Sequence, residues 1–85
     1  AIDARGFTKG SLFVNASGLE QGATLTIALI PRFTQTGDDY AAVTLSSTLG
    51  NGLSVITFDL RYPFYMLSAA TSSGTATVTI DVYQL

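Results

Sequence analysis

The sequence predicts an all-β protein, a small antiparallel β-sandwich with a jelly-roll-like arrangement of about six strands. No helical stripe of apolar residues is sustained anywhere, while Thr, Ser, Val, Ile and aromatic residues dominate. Glycine-containing breaks recur roughly every ten residues, which is typical strand spacing. Eighty-five residues make one domain. We expect residues 1–8 to form an N-terminal arm and residues 9–85 to form the single sandwich domain.

The first strand is predicted at about Phe7 to Asn15. Leu12 and Val14 point to one face and Phe13 to the other, because side chains alternate along a strand. A glycine-containing turn at 16–24 follows.

The second strand is predicted from Thr24 to Ile30, and its inward residues are Leu25, Ile27 and Leu29. Pro31 has no N–H to donate, so the strand should end there or run along a sheet edge. A polar hairpin loop centred near Gly37 leads to a third strand, Tyr40 to Ser46. Its inward residues are Val43 and Leu45.

Asn51-Gly52 predicts a two-residue loop in which both residues have positive φ. The fourth strand follows from Leu53 to Leu60, with the set Ile56, Phe58 and Leu60 on one face. Leu53 and Val55 fall on the other face.

The fifth strand runs from Phe64 to Thr71 after Pro63. Tyr65, Leu67 and Ala69 share one face, opposite Phe64, Met66 and Ser68. A turn at 72–74 leads to the last strand, in which every second residue from Ala76 to Val82 is apolar. Near-consecutive hairpins are predicted for most connections.

The composition predicts a protein that buries part of its surface against other protein chains. Only 12% of residues are charged, against about 25% in an average soluble domain, and the mean hydropathy is +0.39. No apolar run approaches the ~20 residues that span a membrane. A membrane is therefore not an expected partner, and the scattered positions of the four basic residues argue against nucleic acid. An ordinary monomer with a Thr- and Ser-rich surface is the alternative.

Several large apolar side chains fall on faces that the alternation assigns to solvent. They are Phe13, Ile30, Leu53, Val55, Phe64, Met66, Tyr83 and Leu85. Bulges, corners and loops should hide about half of them. The remainder should form a patch that another chain covers.

The residue types argue against an enzyme and against a cofactor or metal site. The chain has no Cys and no His, which excludes disulfides, a Ser–His or Cys nucleophile, and the usual zinc, haem and iron–sulfur ligand sets. Asp38 and Asp39 are adjacent in a turn, and they fit a solvated hairpin tip better than a calcium loop.

Two stretches, GATLTIALIPRFTQTGDDYAAV and RYPFYMLSAATSSGTATVTIDVYQL, carry a resemblance that runs from Gly22 onward. They combine a strand, a polar Gly-Asp loop, a Tyr-Pro-aromatic strand entry and an alternating last strand. Together they resemble small β-sandwich structural proteins encoded in the virion gene clusters of tailed bacteriophages.

The resemblance implies a capsid decoration (cement) subunit on the surface of the virion. Its implied partners are the major capsid protein and copies of itself, in a homo-oligomer. The apolar side chains in this role would be Phe64 and Met66, Tyr83 and Leu85 at the C-terminal edge, and Phe7 in the arm.

Two other classes remain open from the residues. One is a tail or fibre module that binds host glycan through Tyr40, Tyr62 and Tyr65 with Asp38 and Asp39. The other is a cellular surface-layer or pilus-like subunit.

Overall fold

The computed structural model describes residues 1–85 and is all-β, with two antiparallel sheets. The strands are β1 (Ile2–Asp3), β2 (Lys9–Ser17), β3 (Leu25–Arg32), β4 (Val43–Leu49), β5 (Gly52–Asp59), β6 (Phe64–Thr71) and β7 (Thr77–Gln84). One sheet has the order β1-β6-β3-β4 and the other the order β5-β2-β7. The predicted sandwich is confirmed, and β1 is an additional short strand.

The connections differ from the predicted hairpins, because most of them cross from one sheet to the other. Only β3 and β4 are both consecutive and paired. The pairs β2–β7 and β3–β6 are nested in opposite sheets, as in a folded jelly-roll hairpin. The prediction of mainly consecutive hairpins is therefore wrong.

The turn at Asn51-Gly52 shows why the hairpin prediction failed. Gly52 has φ of 110°, but no residue other than glycine has positive φ, so Asn51 does not take the conformation that a tight hairpin needs. Its side chain bonds to another turn instead, since Oδ1 accepts a hydrogen bond of 3.0 Å from the Leu19 N–H. The turn carries the chain from one sheet to the other.

β3 ends at Arg32, one residue after Pro31, and Pro31 itself pairs only with β6, which agrees with the prediction that the strand ends there or runs along an edge. β3 is flanked by β6 and β4, but its pairing with β4 stops at Leu29. The Pro31 carbonyl accepts a hydrogen bond of 3.0 Å from the Tyr40 N–H. Because the N and C=O of a strand residue point the same way, the missing N–H faces this loop and costs no ladder bond.

The core lies between the sheets and has two parts. The larger part contains Leu12, Val14, Ala16, Leu19, Leu25 and Ile27. The smaller contains Ala4, Leu29, Leu60 and Tyr65. The inward assignments on β2 and β3 are confirmed. Val43 lies opposite Leu29 and so on the inward face, as predicted, but it remains 42% exposed at the end of the sandwich.

Residues 1–8, which we expected to be an arm, pack onto the sandwich. β1 pairs with β6, and Ala4 is buried in the smaller core cluster. The Thr8 N–H donates to the Leu85 carbonyl at 2.9 Å. An arm that reached across to a neighbour would have to give up these contacts.

An aromatic contact joins the two layers. The Phe58 and Tyr65 rings are 6.0 Å apart at 80°, an edge-to-face geometry. The Tyr65 hydroxyl donates to Oε1 of Gln84 at 2.8 Å, and burial raises the pKa of Tyr65. Gly10 leaves room for this arrangement, because a Cβ there would lie 2.6 Å from Cζ of Phe58.

Gly10→Ala should therefore lower the free energy of unfolding by about 1–3 kcal/mol, the typical cost of overpacking. Urea denaturation monitored by circular dichroism measures it. Gly50→Ala is the matched control, because its Cβ would meet no atom within 4 Å. Equal stability of the two variants would contradict the proposed packing of Phe58 on Gly10.

Candidate protein-binding surface

The outer face of the three-stranded sheet carries an organised array of exposed large hydrophobic side chains. Leu53 is 83% exposed, Val55 61% and Phe13 50%. Phe13 lies directly beside Val55 on one neighbouring strand and beside Asp81 on the other. Tyr83 is also exposed on this face. We call Phe13, Leu53, Val55 and Tyr83 the Phe13 face.

Few charges surround the Phe13 face. The three strands contain only three charged residues, Lys9, Asp59 and Asp81. Asp59 is paired with Arg61, with 3.4 Å between Oδ2 and Nη2. Small polar residues, including Ser11 and Thr57, fill the other outward positions. Such a surface loses little charge hydration when covered, and it has the composition of an interface core, with aromatic residues and few charges.

A depression of about 290 Å³ continues the Phe13 face toward one end of the sheet. Tyr83 and Leu85 supply its apolar wall, and Lys9 and Asp59 supply charges of opposite sign. A partner's side chain could therefore enter here and meet both apolar and charged groups.

The outer face of the four-stranded sheet is better protected. Phe64 and Met66 are half-buried. The guanidinium carbon of Arg5 lies 4.9 Å from the Phe64 ring centroid, and Arg5 Nη2 is 2.9 Å from Asp3 Oδ2. Arg5 thus covers part of the Phe64 ring through a cation–π contact.

The structure does not bring the five predicted contact residues together on one face. Tyr83 and Leu85 share the depression, while Phe64 and Met66 lie on the opposite sheet. Phe7 is exposed in the turn after β1.

The sequence-based choice of contact residues left out the two most exposed residues of the Phe13 face, Leu53 and Val55. Their alternation placed them outward correctly. What was missing was the pairing of β5 with β2, which puts them beside Phe13. The only signal in the sequence was that two strands far apart in the chain each carried outward hydrophobic residues.

A second cleft, of about 430 Å³, lies at the end of the sandwich. Tyr40 and Tyr62 line it, with Phe33, Pro31, Pro63 and Val43. Of the other residues assigned to glycan binding, Tyr65 is buried in the core. Asp39 Oδ1 accepts from Arg32 Nε at 2.6 Å. The structure therefore keeps two of the three tyrosines together in this cleft.

Comparisons with protein-family models, curated proteins and solved structures found no match. No group of three or more His, Cys, Asp or Glu side chains is placed to hold a metal ion. None of the elements is a helix with the length and apolarity to cross a bilayer.

The ion pair that covers Phe64 is open to titration. Hydrogen bonds from the Arg5 side chain and backbone lower the pKa of the Asp3 carboxyl from 3.8 to about 2. A carboxyl with a lowered pKa stabilises the folded state above its unfolded pKa, and this contribution is lost as the pH falls toward 2.

An NMR titration of the Asp3 carboxyl carbon should therefore show a midpoint near 2, and Arg5→Ala should return it toward 3.8. Arg61→Ala, which removes a different exposed ion pair, is the control and should leave the Asp3 midpoint unchanged. An Asp3 midpoint unchanged by Arg5→Ala would show that the pair does not form in solution.

Proposed function

We propose that this chain is a structural virion subunit, a capsid decoration protein that stabilises a phage head by bridging major capsid proteins. The observation that supports this best is the Phe13 face, an exposed apolar sheet surface with few charges, which is typical of a surface that binds protein. The resemblance of residues 22–85 to virion sandwich proteins supplies the class of partner. The location implied is the outer surface of the capsid.

The magnitudes favour a protein partner over a solvated face. A specific interface buries about 1,000 Å² in total, or ~500 Å² on each partner. That is about a tenth of this chain's 5182 Å² of accessible surface. At ~25 cal/mol per Å² the gross gain approaches 25 kcal/mol if most of the area is apolar, against association costs of about 4–15 kcal/mol. An apolar contact of this size, centred on Phe13, Leu53 and Val55, would therefore leave a net gain after the association costs.

In this proposal the chain bridges two capsid proteins by lying across the joint between them. A capsid presents the same joint many times, so one modest apolar contact per copy reinforces the whole shell through its number of copies. In this proposal the Phe13 face contacts the capsid proteins, and the depression at Tyr83 and Leu85 receives a side chain at its margin. Phe64, Met66 and Phe7 lie outside that contact.

Leu53→Ser combined with Val55→Ser should reduce binding to purified particles that lack the chain by at least about tenfold, since ~1.4 kcal/mol is one factor of ten. Each exposed side chain contributes about 1.5–3 kcal/mol when it is fully buried. Co-sedimentation measures occupancy, and thermal melting of the particles measures reinforcement. Ser68→Ala with Ala70→Ser, exposed on the opposite sheet, is the matched control.

Phe64→Ser with Met66→Ser tests the contact predicted from sequence. If Phe64→Ser with Met66→Ser loses capsid occupancy while Leu53→Ser with Val55→Ser retains it, and both variants are folded, the contact lies on the four-stranded sheet. Wild-type protein that never associates with particles would overturn the proposed function.

A second candidate function is recognition of a host glycan by a tail or fibre module. The observation that favours it is the cleft at the end of the sandwich, where Tyr40 and Tyr62 could stack on sugar rings. The cleft offers few polar groups for sugar hydroxyls, and for this reason capsid decoration is preferred.

A glycan array with the isolated domain tests this second candidate. If the cleft binds sugar, Tyr40→Ala should abolish the signal, because an aromatic stacking surface is lost. Tyr83→Ala, an exposed tyrosine on the Phe13 face, should leave it unchanged. An array without any signal above background rules out the glycans displayed.

A further inference from the structure

The four edge strands of the sandwich differ in how well they are protected against pairing with another chain. β1 has only two residues. The ladder between β4 and β3 contains two register shifts, and such shifts twist an edge away from a partner. β7 carries Asp81 in its centre. Short strands, bulges and charges are the usual devices that block edge pairing.

β5 has none of these devices. It pairs with β2 through eight consecutive partners, from Lys9↔Asp59 to Ala16↔Gly52, without a shift. No charged residue and no proline occurs between Gly52 and Phe58. Its other edge has no strand partner in the sheet order. β5 is therefore a regular edge, uncharged from Gly52 to Phe58, whose outer backbone groups have no strand partner.

We propose that β5 pairs antiparallel with β5 of a second copy, across a two-fold axis at Val55. The two three-stranded sheets then join into one sheet of six strands. Opposed residues in an antiparallel pair lie on the same face, so Val55 meets its own copy and Leu53 meets Thr57 of the partner subunit. Both contacts lie on the outer face, where Leu53 and Val55 are exposed in the single chain.

Charge selects this register over the one with its axis at Ile56. An axis at Ile56 would place Leu53 opposite Asp59 of the partner subunit, which sets a carboxylate against an apolar side chain. An axis at Val55 places Asp59 opposite Asn51, a polar residue outside the strand. The Val55 register therefore pairs apolar and small polar side chains, and it leaves the Asp59 carboxylate of each copy at an end of the paired strands.

The joined sheet has one continuous apolar row. Phe13 is directly beside Val55 within each copy, so the row reads Phe13, Val55, Val55, Phe13 across the two-fold axis, with an Asp81 at each end. This inference deepens the assignment of copies of this chain as partners. It rests on the proposed function only for the capsid-binding role of the row, because the dimer itself is measured on the isolated chain.

Single-cysteine variants test the pairing cleanly, because the chain has no cysteine of its own. Opposed Cβ atoms in an antiparallel pair lie about 4.5–5.5 Å apart, close to the spacing that a disulfide accepts. Val55→Cys should therefore shift under mild oxidation from the 8.9 kDa monomer to a species of twice that mass. Thr57→Cys is the control, since it is exposed on the same face of β5 but lies about four residues, or ~13 Å, from its own copy.

Mixing Leu53→Cys with Thr57→Cys reports the register, because these two positions are opposed and should form the mixed disulfide. Val55→Lys places two ammonium groups on the axis and should shift wild-type dimer to monomer in sedimentation equilibrium. Thr79→Lys, exposed on β7, should leave the dimer intact.

Three results would overturn the pairing: wild-type protein that stays monomeric at all concentrations, equal cross-linking of Val55→Cys and Thr57→Cys, or a dimer that survives Val55→Lys. If the wild-type protein is monomeric but still binds capsids, the dimer inference is wrong and the proposed function stands. If the dimer forms as described but never binds particles, the proposed function is wrong and the dimer inference stands.

Discussion

The register of β2 against its two neighbours is the constraint on which the rest of the structure depends. Alternate residues of β2 fill the larger core cluster, and Phe13 between them points outward. A shift of one residue would place Phe13 inside and Leu12 and Val14 in solvent. The buried row therefore fixes the outer row, and an exposed aromatic residue at the centre of the sheet is the result.

That fixed outer row explains why the two sheets present different surfaces. The four-stranded sheet receives β1 at its edge, and Arg5 lies over Phe64. The three-stranded sheet has no comparable cover, and its three charged residues lie at its ends or on β7. The two sheets differ in cover and not in charge, because the strands of the four-stranded sheet contain only two charged residues, Asp3 and Arg32. The asymmetry supports a one-sided docking role.

The sequence was sufficient for the features that follow from local alternation. Six strands and the inward set Leu12, Val14, Leu25, Ile27 and Leu29 could be read directly, because period-two patterns report which side of a strand is buried. Local patterns do not report which distant strands pair. Asn51-Gly52 has the residues of a hairpin turn, yet the side chain of Asn51 bonds to Leu19 and the chain changes sheets.

The Phe13 face could not be predicted from the sequence for the same reason. Leu53 and Val55 were assigned outward, but only the β2–β5 pairing, between residues about forty positions apart, joins them to Phe13. Pro31 shows what residue type alone can predict. It indicated a strand end or an edge, and β3 ends one residue later, where the missing N–H faces a loop and not a strand.

Gln84 links the two layers of the sandwich through hydrogen bonds that persist at low pH. One amide accepts from the Tyr65 hydroxyl and donates to the Asp3 carbonyl, so it links the last strand to the opposite layer and to the first strand. None of these groups ionises in acid, and burial moves the Tyr65 phenol further from ionisation in base. The Asp3–Arg5 ion pair is lost as the pH falls toward 2, whereas the hydrogen bonds of Gln84 join uncharged groups and are retained. Ionic strength has little to act on at this joint, since no formal charge takes part.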